Sequence, residues 1–347
     1  MINTAINTSL LDFIAALERR VMDGGEVTVA EGTRLLEQTT DAELGSLMAA
    51  ADRIRRHFVG PDVHLCSIVN AKSGRCSEDC GFCAQSVRFK TGIAEYDLLD
   101  EDATLQAAHE AAEHGAEALG LVAAWRGLKD GTAELDGVLE RIRAVSRDGA
   151  VAADASLGLI DDPCVARKLK EAGLHTYNHN LETARSHFGT VCKTHDYDDR
   201  LRTIELVREA GIHVCSGGIV GMGETPRQRA ELAAELRAID PDIVPLNFLN
   251  PIEGTPMGQV RTPLRPLQAL TCISVFRFML PRNHIMVAGG REVVLRSLQP
   301  MMFLAGASAT MVGNYLTTAG KPASEDLQML ADLEIGTTPA HHGAPVA

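Results

Sequence analysis

A chain of 347 residues exceeds the usual size of one domain, but a (β/α)8 barrel of roughly 250 residues with extensions accounts for it. With 45% hydrophobic and 23% charged residues it can bury a core and is not a disordered chain. A formal net charge of -13 opposes nonspecific attraction to nucleic acid or to anionic membrane surfaces, so neither is expected as a partner.

The opening residues, MINTAINTSLLDFIAALERR, lack a basic stretch followed by an apolar one. No apolar run reaches about 18 residues, and both features point to the cytoplasm. With no export signal, the eight cysteines are better spent on metal than on disulfides. Residues 9–22 set Leu10, Phe13, Ile14, Leu17 and Val21 on one helical stripe that Gly24-Gly25 ends. Two more helical patterns follow, Ala30 to Glu37 and Asp41 to Phe58. Residues 1–60 are therefore read as a helical extension without chemistry of its own.

From residue 63 onward short apolar runs alternate with amphipathic stretches, the pattern of a parallel sheet wound with helices. Eight strand candidates stand out: His64 to Asn70, Ala118 to Trp125, Val151 to Gly158, Thr176 to Glu182, His213 to Val220, Ile243 to Leu249, His284 to Ala288 and Ala309 to Gly313. Helices between them include Leu201 to Ala210, closed by Gly211, and Pro226 to Ile239, capped by Thr225. Eight such units predict an α/β fold, a TIM-type (β/α)8 barrel over residues 61–325, with chemistry on the loops at the carboxyl ends of its strands. Residues 326–347 are expected to form one last helix and a mobile tail, in which His341 and His342 are read as an unstructured end.

Directly after the first strand the sequence reads CSEDCGFC, placing Cys76, Cys80 and Cys83 within eight residues. Three soft thiolates on one loop suit three irons of a 4Fe-4S cubane and leave the fourth iron open, whereas structural zinc wants four closed ligands. A zinc knuckle with a distant fourth ligand, or three unrelated buried thiols, remains the alternative on this loop alone.

The Cys-x3-Cys-x2-Cys spacing, with Phe82 before the last cysteine, resembles that of the radical S-adenosylmethionine enzymes, whose open iron chelates that cofactor. The wider stretch NAKSGRCSEDCGFCAQS, including Lys72, Ser73, Gly74, Gln85 and Ser86, resembles the biotin synthase family. Further stretches of the same resemblance fall at strand ends. One is AAW, ending in Trp125, the only tryptophan. In YNHNLET the resemblance implies that Asn180 and Glu182 hold the cofactor ribose, with Glu where many members have Asp, and that Asn178 and Asn180 reach the ureido ring of dethiobiotin. An amide suits a ureido group because it offers both a donor and an acceptor. CSGGIVGMGET, carrying Gly218 and Gly221, is similar to the adenosine-contacting strand, and VPLNFLNPIEGTP puts Asn247 at a dethiobiotin-contacting position. Arg200 matches the arginine for the cofactor carboxylate, a natural bidentate pair.

Residues 60–330 carry the resemblance, and it fails at one place. The best-known members hold a second, sulfur-donating 2Fe-2S cluster on three cysteines and an arginine. Aligned by neighbouring motifs, this chain has Gly120, Asp154 and Met286 at three of those positions and keeps only Cys215. One thiolate does not hold a cluster. Cys66, in the first strand, and Cys192, after the fourth, are the expected substitutes, giving an auxiliary cluster of another type. Cys164 and Cys272 fall in helical patterns and are read as buried small hydrophobes.

The resemblance thus implies a biotin synthase. The reduced cluster cleaves S-adenosylmethionine to a 5'-deoxyadenosyl radical, hydrogen leaves C9 and C6 of dethiobiotin, and sulfur closes the ring. It further implies an electron donor such as flavodoxin or ferredoxin, and a homodimer. The alternative within the fold is a hydrogenase-maturase-like or methylornithine-synthase-like enzyme without sulfur insertion. The missing 2Fe-2S ligands favour that alternative, and the asparagines of YNHNLET with Asn247 favour biotin synthase. A noncatalytic iron-sulfur or zinc carrier would not need Arg200, Asn180 or the glycine strand.

Overall fold

A computed structural model describes residues 9–260, 264–313 and 320–338; the pair His341 and His342 lies outside the described residues. Strands β1 (His64–Lys72), β2 (Ala118–Ala123), β3 (Ala152–Ser156), β4 (Thr176–Asn178), β5 (His213–Cys215), β6 (Gly218–Val220), β7 (Ile243–Phe248), β8 (His284–Val287) and β9 (Ala309–Met311) form one sheet. All its pairings are parallel, and β1 pairs with both β2 and β9, which closes the barrel.

β5 and β6 are two halves of one barrel position: β5 pairs with β4 and, at Cys215↔Ile243, with β7, and β6 continues along β7. Eight positions therefore surround the axis, as the eight apolar runs predict. The break falls at Ser216 and Gly217, where a Cβ on Gly217 would lie 1.9 Å from the carbonyl oxygen of Pro245. Only glycine lets the backbones approach that closely.

The outer helices start where the sequence supplies caps. Helix Pro226–Ile239 begins on a Thr225–Gln228 capping box with proline in its first turn. Helix Tyr197–Glu209 starts four residues before the expected Leu201, because Asp196 and Asp199 form a capping box there. That earlier start puts Arg200 at the first turn of a helix, beside the end of β4. Helices α1 (Leu10–Met22), α2 (Val29–Gln38) and α3 (Asp41–Phe58) precede β1, with α2 and α3 packed on helix Pro266–Met279. The approach is close at Gly32, where a Cβ would sit 2.7 Å from Met279 Sδ.

The last helix, Ala323–Asp332, is tied to the barrel by the buried Arg291–Asp326 pair at 2.5 Å. The backbone then returns to the start of β1, where Val63 N–H donates to Gly336 at 2.9 Å. Cys272 is buried as expected, but Cys164 is only half-buried, with its thiol 3.6 Å from Asp130. Cys164 sits on the Asp130 side of helix Pro163–Glu171, whose Val165, Ala166 and Leu169 take the buried face. Among the described residues no helix is long and apolar enough to cross a membrane.

Candidate active site at the barrel mouth

The carboxyl ends of the strands surround a cavity of about 400 Å³ whose lining includes Cys76, Cys80 and Cys83. The loop that carries them is held by its own backbone. Cys76 N–H donates to Gln85 at 3.0 Å, Val87 N–H to Cys76 at 2.8 Å and Cys83 N–H to Cys80 at 2.9 Å. Side chains fix its base: Gln85 Oε1 accepts from Gly74 N–H at 3.0 Å, and Lys72 Nζ donates to the carbonyls of Gly74 and Ala124 at 2.7 and 3.0 Å. Ser86 donates to the Glu78 carbonyl. Burial pushes the Cys76 and Cys83 thiols up, Cys83 to about 11. A bound cation is what makes such thiols ligating thiolates at neutral pH.

A clamp that the sequence reading passed over holds this loop to residues 192–195. Glu78 is paired with Arg126 at 2.9 Å, accepts from the Thr194 hydroxyl at 2.6 Å and touches His195 Nδ1. Asp79 Oδ1 accepts from the N–H groups of Lys193 and Thr194 at 2.9 and 3.1 Å. Burial would raise Asp79, but these bonds, with those from Cys192 and the Thr194 hydroxyl, hold it down to about 2. The available signal was the pair of acids between the first two cluster cysteines.

The clamp also sets the place of Cys192. Cys192 is drawn over the loop, with its sulfur 3.8 Å from that of Cys80, and so stands at the mouth rather than beside Cys66 and Cys215. Of the pair Cys80 and Cys192, it is Cys192 that ionises first. The hydrogen bond from Cys80 pulls it down to about 4 against burial, and His195 and Thr194 act in the same direction.

On the opposite wall, β4 ends in Asn178, and the turn beyond it presents Asn180 and Glu182. Glu182 sits at φ 68, the left-handed region that a residue with a side chain seldom adopts. Its carbonyl accepts from Ile219 N–H at 2.7 Å, and a Cβ on Gly218 would lie 2.6 Å from that carbonyl oxygen. Gly218 therefore allows the turn that aims Glu182, and it is not itself among the residues lining the cavity. Gly221, also outside the lining, adopts φ 105 and donates to Glu224 at 2.8 Å.

Arg200 is buried, donating from Nη1 to the Asn180 carbonyl at 2.7 Å and facing Glu182 at 3.4 Å. Burial raises the Glu182 carboxyl, and Arg200 opposes that rise. Four buried polar atoms of this wall have no partner among the described residues: Asn178 Oδ1, His179 Nε2, Glu182 Oε2 and Arg200 Nε. Such atoms are rare unless a ligand completes them. Trp125 and Asn247 also line the cavity. Two of the expected asparagines are already engaged by backbone. Asn180 Oδ1 accepts from Gly217 at 3.1 Å, and Asn247 accepts from Gly289 at 2.8 Å while donating to Gly218 at 3.3 Å.

Directly beneath the cavity, Cys66 and Cys215 pack in one buried layer with Met286 and Met311, which reach up into its lining. Burial pushes both thiols well up, with Asp154 adding to the effect. Gly120 and Asp154 are register partners across β2 and β3. His64 Nε2 lies 2.9 Å from Cys66 Sγ, and its Nδ1 is 2.6 Å from Glu117.

The chain is similar to known proteins over most of its length. Residues 71–236 match the Radical SAM superfamily, and residues 245–336 match the Biotin and Thiamin Synthesis associated domain. The biotin synthase of Pelobacter propionicus is 48% identical over 324 residues, 93% of this chain and 98% of that protein. That of Geobacter sulfurreducens is 48% identical over 93% of this chain and 97% of its own length. Among solved structures, methylornithine synthase superposes with a TM-score of 0.79 over 93% of this chain and 97% of its own, at 19% identity. The FeFe-hydrogenase maturase of Carboxydothermus hydrogenoformans gives 0.80 over 97% and 82%, at 16% identity. These last two likenesses are of fold alone.

Proposed function

The chain belongs to the biotin synthase family, and from that membership we propose that the barrel mouth converts dethiobiotin to biotin using S-adenosylmethionine, with the residues in the roles that follow. The observation that carries the assignment is the joining of a three-cysteine loop and a wall of unpartnered polar atoms on one cavity. The maturase and the methylornithine synthase share the barrel at under 20% identity, whereas the biotin synthases match at 48% over nearly the whole chain. The assignment accordingly follows the latter.

The donor set suits a 4Fe-4S cluster with an open iron: three thiols on one loop, no fourth cysteine in that loop, and burial that makes them depend on a cation for ionisation. We assign Cys76, Cys80 and Cys83 to that cluster. When bound, cluster and S-adenosylmethionine supply the radical chemistry, and the protein supplies orientation and exclusion of water. The free edge of Arg200 suits a carboxylate, and the free oxygen of Glu182 suits a ribose hydroxyl. Asn180 shapes that wall by tying Gly217, and Trp125 closes it on the side of β2.

Asn178, with its carbonyl oxygen unpartnered, is the asparagine best placed to accept from a ureido N–H. Asn247 braces the ends of β6 and β8 and shapes the pocket for the same group. Beneath them, Cys66 and Cys215 are the thiols we assign to the auxiliary, sulfur-supplying cluster, without Cys192. The reading also takes an external electron donor such as flavodoxin or ferredoxin, and a homodimer. Growth tests the assignment. A biotin-requiring strain that lacks its own sulfur-insertion step, expressing this chain and fed only dethiobiotin, should grow; expression without growth would overturn it.

A further inference from the structure

Cys80, Cys192 and His195 bring three potential ligand atoms within 4.8 Å of one another, at a place where the radical reading needs only the first of them. From this geometry we infer that the chain, before its cluster is built, holds a single divalent ion of the zinc class on Cys80, Cys192 and His195. Two thiolates on one tetrahedral zinc, each at about 2.3 Å, lie about 3.8 Å apart, and a thiolate and an imidazole nitrogen about 3.5 Å apart. The two sulfurs here are 3.8 Å apart, and His195 Nε2 stands 3.9 Å from Cys192 Sγ, a few tenths of an ångström beyond that separation, with Nδ1 at 3.3 Å on the side of Glu78.

The surroundings are those of a zinc histidine. Glu78 contacts Nδ1 of His195 and is itself fixed by Arg126 and Thr194, which leaves Nε2 for the metal. A carboxylate that takes the other ring N–H sets the tautomer in just this way in metal sites. In the metal-bound form both sulfurs are thiolates and the imidazole is neutral, the displaced protons passing to solvent, and a divalent ion with two thiolates and a neutral imidazole has no net charge. Such a complex suits a buried position. Access is through the cavity, whose wall includes Cys80 and His195; the fourth position is left to water.

Because Cys80 is shared, the single ion and the 4Fe-4S cluster exclude one another; this consequence rests on the assignment of Cys80 above, whereas the site itself does not. The test uses full-length, cluster-free chain under anaerobic conditions, titrated with Co2+ and then Zn2+. In a Cys76→Ala/Cys83→Ala background one ion per chain should bind, with the absorption of a tetrahedral cobalt thiolate. Adding Cys192→Ala, Cys192→Ser or His195→Asn should each weaken it by tenfold or more, with circular dichroism confirming that the chain stays folded. Unchanged affinity in folded Cys192 and His195 variants, or octahedral cobalt without thiolate bands, would overturn the site. In the otherwise unaltered chain, zinc added before iron and sulfide should suppress cluster formation, and Cys192→Ala should relieve that suppression. Equal suppression with and without Cys192 would place the ion on the three loop cysteines instead. Failure of the unaltered chain to build any 4Fe-4S cluster would count against the cluster assignment while leaving the cobalt result intact.

Discussion

Replacing Arg200 by Met separates what the guanidinium does for the cofactor from what it does for the fold. In the structure Nη1 is spent on the Asn180 carbonyl at 2.7 Å and on Glu182 at 3.4 Å, while Nε is buried without a partner. The free edge is the part assigned to the cofactor carboxylate, and a hydrogen bond to a charged group is worth about 1.5 to 3 kcal/mol. Losing it should weaken S-adenosylmethionine binding roughly tenfold to a hundredfold. The spent edge has a separate cost, since the Asn180 carbonyl and the Glu182 carboxyl are left buried without their cation, about 1 to 3 kcal/mol for each unsatisfied group. That cost belongs to folding and should lower the denaturant midpoint. Equilibrium dialysis of labelled cofactor against anaerobically reconstituted protein reads the first effect, with iron content as the check that the cluster loop is intact. Arg200→Lys, which keeps the charge but not the planar fork, should fall between the two. Unaltered affinity in Arg200→Met with full iron content would refute the reasoning and leave Arg200 as a brace for the β4 turn.

Any one of Cys76→Ala, Cys80→Ala or Cys83→Ala should abolish reductive cleavage of S-adenosylmethionine; formation of 5'-deoxyadenosine by such a protein would remove that thiol from the cluster. Asn178→Leu should raise the dethiobiotin requirement more than the cofactor requirement, because a site built around an amide penalises loss of its partner; equal effects on both would make Asn178 part of the wall only. Gly218→Ala places a methyl 2.6 Å from the Glu182 carbonyl, so the denaturation midpoint should fall by the equivalent of about 1 to 3 kcal/mol. Cofactor affinity should fall with it, because the turn that aims Glu182 must move.

The barrel was legible because its signals are local. Apolar runs, proline and capping pairs such as Thr225 with Gln228 mark each unit without help from distant residues. The cluster loop was legible for the same reason, its three thiols lying within eight positions. The approach of Cys192 to Cys80 was not legible, because it depends on hydrogen bonds between Asp79 and residues 193–194, more than a hundred positions away. No periodicity records such a link. The role of Gly218 was similarly hidden, since its need for glycine comes from the approach of Glu182 across the sheet. Asn247 reads in sequence as a ligand-facing amide, yet both ends of its side chain are engaged by backbone across neighbouring strands.

The central claim is sulfur insertion by a chain that keeps Cys66 and Cys215 beneath the cavity. A single-turnover assay measures it directly, with anaerobically reconstituted protein, S-adenosylmethionine, a reductant and dethiobiotin, and with both biotin and 5'-deoxyadenosine quantified by mass spectrometry. The account predicts biotin from the unaltered chain, and 5'-deoxyadenosine without biotin from Cys215→Ala. If the unaltered chain cleaved S-adenosylmethionine yet made no biotin from dethiobiotin, the claim would be contradicted.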